Sequence, residues 1–541
     1  MLAEKRLDSG DLNIIIDTLK EYFEREMPLE KRLIWDHEDH CPEEKVRQLM
    51  SPDVGMHLIF IPEEYGGMGG SAYDIYRLSE EFAKLDLGVA TAMLAVSLGM
   101  DPIRVGATEE QKKKWMTAIA EKGTIVAYGV TEPEAGSNVE ALKTKADRIE
   151  GPDGAVKAYK LNGVKQFISN GGIADLYTIL ARTPDGPSFF VVERNTPGFG
   201  VGKMEDKHGI RLSNTSQVIL EDVEVPASNL VGEVEGQGIK QSNEVFGFTR
   251  LMVAAFGLGG GEAALDRAVA YSKERKQFGT YLCEKQGYMN KLIVPHAVRL
   301  EAARAYIEEV ADALMEPGVD LQVEGSIAKL FATESGNAAA EAGIQALGGY
   351  GYCKEYEVEK IKRDVRILPI YEGTSEIQQN IIGLYRMRTN VKKKGAYYNG
   401  IADEMDAMEK EGASVGSNSV AIAARTLSRG SILVFRNKLS RQQHVLFGIA
   451  DCAVEVETAA AMCRRANKQD GDFLKAAARL WAAQASSDCV HRMLRLFCEA
   501  DVLKKEDFDE LLKISHGTGL LDAHRGRLAD MDTISRHLSA D

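Results

Sequence analysis

The chain has 541 residues, is 44% hydrophobic and 27% charged, and carries a formal net charge of −15. This is the composition of a water-soluble globular protein of about three or four domain-sized units, and the acidic balance argues against long-range steering of DNA, RNA or an anionic membrane surface. Seven cysteines scattered singly, at 41, 283, 353, 452, 463, 489 and 498, form no CxxC pair and no zinc-spaced cluster, which predicts reduced thiols in the cytoplasm.

Residues 1–122 read as a helical domain. The first residues lack a signal-peptide core, and no apolar run approaches the length of a bilayer-spanning helix. Near-3.6 periodicity predicts helices over 11–33, 43–50, 71–86 and 89–100, with the glycine-rich loop IPEEYGGMGG at 61–70. Over 123–235 the period changes. Asn162-Gly163, flanked by alternating residues, predicts a hairpin turn. LYTILAR, SFFVVER and SQVILEDVEVP read as further strands of a compact antiparallel β-domain.

Over 236–395 long helices return, at 237–274, 286–315, 320–347 and 373–390, with the alanine-rich faces of an antiparallel bundle. Residues 396–541 continue as an extra helical bundle, in which Val445, Ile449, Cys452, Ala453 and Val456 share one face. The fold class is α+β, mainly α.

Five stretches could carry chemistry. YGVTEPEAGSN (128–138) places Thr131, Gly136 and Ser137 where a strand becomes a loop, suited to a flat polar ligand or a phosphate and equally to an ordinary turn. In QFISNGG, strand alternation puts Phe167 and Ser169 on one face, a ring and a hydroxyl for a planar cofactor or a core Phe with a turn-capping Ser. Arg275 in ERKQFG suits a pyrophosphate, or the dipole of the helix it ends. Gly348, Gly349 and Gly351 after a long helix allow close backbone approach to a ligand, or simply stop the helix. LPIYEGTSEIQQN (368–380) leads with a β-like run and holds a single acid, Glu372, before a capped helix start; burying it costs several kcal/mol unless compensated.

In order and spacing these segments resemble the acyl-CoA dehydrogenases, over roughly residues 10–390. Gly129-Val130-Thr131-Glu132 through Gly136-Ser137 match the family's first signature, with Asn138 in place of its final Asp. Gln345, Gly348, Gly349, Gly351, Tyr352, Glu355, Lys360 and Asp364 match the second. PEEYGGMG, ERKQFG and YEGTSEIQ are further family-like blocks.

The resemblance implies a helical N-terminal domain, a middle β-domain and a C-terminal four-helix domain, with FAD between the β-domain and helices of two subunits. By residue, it implies that Tyr128, Val130, Thr131, Gly136 and Ser137 contact the cofactor. Phe167 takes the place of an aromatic, usually Trp, beside the isoalloxazine, and Ser169 that of the hydroxyl residue bonding flavin N5. Arg275, Gln277, Phe278, Gln345, Gly348 and Gly349 would reach the partner's FAD, with Thr374 and Glu376 further cofactor contacts.

Glu372 falls on the family's catalytic base, which takes the α-proton of an acyl-CoA while the β-hydrogen leaves as hydride to flavin N5. Desolvation beside Tyr371 would raise its pKa, and its backbone N–H would stabilise the forming enolate. Relatives with the base elsewhere carry it just before a helical Arg; here that pair is Thr249-Arg250, and Thr cannot serve. Gly247 stands where many members have an Asp that helps hold CoA, while Arg250 is retained.

Ser137, Tyr371 and Gly373 complete the expected substrate contacts, with Ala90, Thr91 and Leu94 lining the acyl cavity. Thr91 stands where glutaryl-CoA dehydrogenases have an Arg, which favours an apolar acyl group, medium-length or bulky. The tail resembles the extension of very-long-chain-type members, implying a homodimer, with a tetramer the other assembly. Electrons would pass to an electron-transfer flavoprotein. The alternative readings are an acyl-CoA oxidase or flavin monooxygenase on the same scaffold, and a CoA-thioester lyase.

Overall fold

The computed structural model describes residues 6–540 except 317, 318, 470 and 516, and only the backbone of 246, 248 and 518. The chain divides into two compact units. One comprises Met1–Gly260, Ala311–Asp320 and Arg363–Ile367; the other comprises Gly261–Val310, Leu321–Lys362 and Leu368–Asp541.

The first unit opens with six helices: α1 (Ser9–Glu26), α2 (Leu29–Glu38), α3 (Glu43–Leu49), α4 (Ala72–Leu85), α5 (Leu87–Gly106) and α6 (Glu109–Lys122). The single helix predicted over 11–33 is two. Pro28 forces Met27 out of the α region, to φ −132°, and then caps α2 itself. Capping boxes start α4 (Ser71 with Asp74) and α6 (Thr108 with Gln111). Contrary to the sequence reading, α5 is by itself long and apolar enough to cross a membrane, but it is mostly buried as a core helix.

Seven strands follow: β1 (Val126–Gly129), β2 (Lys145–Glu150), β3 (Val156–Ser169), β4 (Leu176–Thr183), β5 (Gly186–Glu193), β6 (Phe199–Met204) and β7 (Thr215–Pro226). They form one sheet in the order β1-β4-β2-β3-β7-β6, with β5 on β4. The sheet is mixed rather than antiparallel, because β1 pairs parallel with β4. β2 and β3 intervene in sequence between those two, so their connection is a crossover, not a hairpin.

Asn162-Gly163 makes no hairpin. β3 runs through it with a register shift between Leu161 and Gly163. A Cβ on Gly163 would lie 2.4 Å from Thr144 Oγ1, so this glycine serves a bulge and a close approach.

α7 (Gly238–Glu274) is followed by a short ribbon of β8 (Lys276–Gln277) and β9 (Thr280–Tyr281). The helix predicted over 286–315 is interrupted: α8 (Gln286–Tyr288) passes through a π turn at Met289–Ile293 into α9 (Val294–Ala313). Pro295 has no N–H for a regular ladder, and the wider turn absorbs the gap. Then come α10 (Gln322–Leu347), α11 (Glu357–Val365), which the sequence reading missed, and α12 (Ser375–Lys392).

The tail adds α13 (Ala396–Lys410), α14 (Ser417–Arg436), α15 (Gln443–Lys468), α16 (Asp472–Ala500), α17 (Lys505–Ser515), α18 (Gly517–Asp522) and α19 (Arg527–Ser539). The predicted face of Val445, Ile449, Cys452, Ala453 and Val456 is buried. Within the second unit the tail is pinned to α12 by Arg386, which donates to both carboxylate oxygens of Glu457 at 2.7 and 2.9 Å. Tyr306 and Tyr398 hydroxyls donate to the same carboxylate.

Candidate active site

In the second unit, residues 368–373 are turns and bends, not the β-like run, and Glu372 is half-buried rather than buried. Leu368 anchors the turn in the core, while Ile370 is 47% exposed, so no continuous apolar strand can form. Glu372 itself has a left-handed backbone, φ 54°, followed by Gly373 at φ 90°. A non-glycine residue held there stores about 1–3 kcal/mol and persists only where its surroundings over-determine it.

The surroundings do so through the side chains of Lys329, Gln378 and Thr374. Lys329 Nζ, fully buried on α10, donates to the Gly373 carbonyl at 2.7 Å. Gln378 Nε2 donates to the carbonyls of both Glu372 (3.2 Å) and Gly373 (3.1 Å). Thr374 Oγ1 caps α12, accepting from Ile377 N–H. A Cβ on residue 373 would lie 2.5 Å from Gln378 Nε2, so the joint needs glycine. Tyr371 is half-buried and Glu376 is exposed.

The ERKQFG block is a tight ribbon. Phe278 (φ 52°) and Gly279 (φ 83°) form its tip between Gln277 and Thr280, and the Phe278 ring is 98% exposed. Arg275 lies 5.8 Å from the Tyr350 ring centroid. Tyr350 closes the glycine run after α10, whose last turn presents Gln345 to solvent. The three glycines differ. A Cβ on Gly351 would strike the Ile344 carbonyl at 2.3 Å, whereas Gly348 (φ 61°) and Gly349 face open space.

In the first unit the 128–137 and 166–170 blocks are neighbours. Gln166 N–H donates to the Thr131 carbonyl at 2.9 Å. Lys165 Nζ donates to the Val130 carbonyl at 3.1 Å and pairs with Glu132 at 2.7 Å, with neither side chain reaching solvent. Burial opposes charge on both groups. It pushes Lys165 down to about 8 despite Glu132, while Lys165 and the Lys143 and Thr144 N–H groups hold Glu132 below its ordinary value against burial.

This pair, which the sequence reading did not connect, fixes the loop that leaves Gly136 and Ser137 exposed. Tyr128 stacks on Phe189 at 5.7 Å. On β3, Phe167 (63% exposed, φ 57°) and half-buried Ser169 flank buried Ile168, but the left-handed Phe167 and the register shift between Lys165 and Ile168 break the regular alternation expected there.

Thr249 and Arg250 are buried in α7, and Gly247 faces open space. Ala90, Thr91 and Leu94 are buried in α5, and the Thr91 hydroxyl donates to the Leu87 carbonyl at 2.8 Å.

Known proteins decide the family. Profiles of the acyl-CoA dehydrogenase N-terminal, middle and C-terminal domains match residues 9–123, 127–223 and 236–384. A short-chain-specific acyl-CoA dehydrogenase of Clostridium acetobutylicum is 37% identical over 68% of this chain and 96% of its own length. The chain belongs to the acyl-CoA dehydrogenase family.

An acyl-CoA dehydrogenase of Bacillus subtilis is 41% identical over 61% of this chain and 86% of its own. The solved structure of an acyl-CoA dehydrogenase complexed with FAD from Bacillus anthracis superposes with TM-score 0.85 at 24% identity. It covers 98% of this chain and 96% of its own, so the tail shares that fold.

As an acyl-CoA dehydrogenase family member the protein is an FAD-dependent oxidoreductase, and its residues fit the cofactor. Gly136, Gly348 and Gly349 each leave room where a Cβ would project, as close backbone approach to a phosphate or ribose requires. Phe167 and Phe278 hold large apolar rings in solvent on left-handed backbone, a costly arrangement that a planar aromatic ligand would cover.

Proposed function

We propose that the protein dehydrogenates an acyl-CoA thioester to the 2-enoyl-CoA, with Glu372 as the base that removes the α-proton. The observation that carries the reading is the clamped left-handed joint at Glu372-Gly373. It holds a carboxylate on a fixed backbone, as proton transfer over a hydrogen-bond distance demands. The Glu372 N–H is the candidate donor to the thioester carbonyl, where it would stabilise the forming enolate. Bound FAD supplies the acceptor for the β-hydrogen as hydride, at N5 of its ring.

Within the chain, Tyr128, Val130, Thr131, Gly136, Ser137, Phe167, Ser169, Thr374 and Glu376 are the proposed cofactor contacts. Arg275, Gln277, Phe278, Gln345, Gly348 and Gly349 would serve the cofactor of a second subunit in a homodimer. Arg250, Ser137, Tyr371 and Gly373 would hold the substrate. Ala90, Thr91 and Leu94 would bound the acyl end. The Thr91 hydroxyl is spent on its own helix, so this position offers nothing to a distal carboxylate, which supports an apolar acyl group. The name of the Clostridium relative favours a short one. Electron-transfer flavoprotein is the proposed acceptor, and the free cysteines support a reducing compartment such as the cytoplasm.

The test is anaerobic titration of the yellow holoenzyme with a panel of acyl-CoAs, then ferrocenium turnover with and without oxygen. Glu372→Gln should keep FAD and lose flavin bleaching. Normal turnover by that variant would sink the assignment, and oxygen-dependent turnover without ferrocenium would make the protein an oxidase.

A further inference from the structure

Within the second unit, α9, α10 and the start of α12 line a partly open cavity of about 680 Å³ together with α15, α16 and α19 of the tail. That is the size of a site for a small organic molecule. Its aliphatic lining residues include Val298, Leu330, Val454, Leu480 and Met531. Phe331 and Trp481 also line it, their rings tilted by 36° with centroids 5.1 Å apart, and the Arg299 guanidinium lies 5.6 and 5.8 Å from those centroids.

The polar groups of the lining are short of acceptors. Arg299 Nε and Arg527 Nη1 are buried without a hydrogen-bond partner. Of the five acids in the lining, Glu376 is exposed and the other four accept from neighbouring donors. Glu334 accepts from Ser375, Asp451 from Gln379 and Arg492, Glu455 from Arg492, and Asp488 from Gln484. Glu455 Oε2 also lacks a partner, but burial pushes this group up to about 7, and its acid form is a further donor. His296, held near 4 by burial and Arg299, is neutral at pH 7. The same acids would repel a polyanion such as a nucleotide.

We propose that this cavity binds one aliphatic monocarboxylate. Its head group would accept from Arg299, for which a planar carboxylate is the matching shape, and its chain would lie along Leu330, Val454 and Leu480. Such a ligand would bridge the tail to α9 and α10. The proposal does not rest on the reaction argued above, although Glu376 belongs both to this lining and to the proposed cofactor contacts.

The test titrates the FAD-loaded protein with octanoate, following tryptophan emission, flavin absorbance and Tm. Of Trp35, Trp115 and Trp481, only the last lines the cavity. A saturable emission change that disappears in Trp481→Phe, with flavin absorbance unmoved and Tm raised, is the expected result. Arg299→Met should weaken binding about tenfold or more. Leu480→Phe, which narrows the cavity and keeps its charge, should weaken it even if Arg299→Met does not fold. No saturable change, undiminished wild-type affinity in both Leu480→Phe and Arg299→Met, or a flavin response that tracks the emission would overturn the proposal.

Discussion

The ammonium of Lys329 lies 2.7 Å from the carbonyl of Gly373, and it holds from below a joint whose preceding residue, Glu372, has φ 54°. The Lys329 side chain is buried and the bond half-buried, which limits its exchange for water. Lys329 is therefore a positioning residue: it touches the backbone that aims the carboxylate. Lys329→Met should lower kcat by about 10- to 100-fold, the equivalent of one charged hydrogen bond of about 1.5–3 kcal/mol. The KM for acyl-CoA and the FAD content should barely move. Lys329→Arg, which can still donate, should recover part of kcat. A change confined to KM would show that the clamp does not aim Glu372.

The Lys165–Glu132 pair tests whether the 130–137 loop is fixed from beneath. Lys165→Met strands a buried carboxylate and should cost about 3–5 kcal/mol of stability, read by urea unfolding. Adding Glu132→Leu should recover only part of the loss, because Lys143 and Thr144 N–H groups donate to Glu132 and would then lack an acceptor. Full recovery would show that the pair is stabilising in name only.

Glu235 is one source of acid sensitivity in the β-domain, beside Glu132. Burial would raise its pKa, but hydrogen bonds from Arg148 and Tyr159 override this and hold it at about 2, below its ordinary 4.5. A depressed carboxyl contributes stability above the unfolded value and loses it as pH falls from 4.5 through about 2. Because Arg148 is partly solvated, the contribution is set at about 2 kcal/mol rather than the full shift. Glu235→Gln should lower Tm at pH 6 and flatten its fall between pH 4.5 and 3. Parallel curves for the two proteins would assign acid sensitivity elsewhere.

The sequence carried the glycine-rich and acidic blocks because their chemistry is local: residue types in a fixed order. It could not show that Glu372, Phe167 and Phe278 share a left-handed backbone, since nothing in a Glu or Phe announces positive φ. Lys329 was equally hidden. It sits mid-helix on α10, far along the chain from the carbonyl it serves. Asn162-Gly163 misled because a hairpin signal and a bulge use the same small residue, and only the neighbour, Thr144, separates them. α11 was missed because it has only 9 residues, although Val358, Ile361 and Val365 recur at helical spacing and are buried. The order of α and β regions survived because hydrophobic period, unlike pairing partner, is written locally.

The glycine run after α10 offers a separation of packing from ligand approach. Gly351 is enclosed, since a methyl there would meet the Ile344 carbonyl at 2.3 Å, whereas Gly349 faces open space without positive φ. Gly351→Ala should therefore lower Tm, with FAD affinity per folded molecule little changed. Gly349→Ala should leave apoprotein stability within about 1 kcal/mol, because nothing in the chain resists the methyl. It should nevertheless weaken FAD binding about tenfold if the cofactor of a second subunit passes over this backbone. Flavin fluorescence titration against apoprotein reads the affinity, and urea unfolding reads the stability. Unchanged FAD affinity in Gly349→Ala would place the cofactor away from this run.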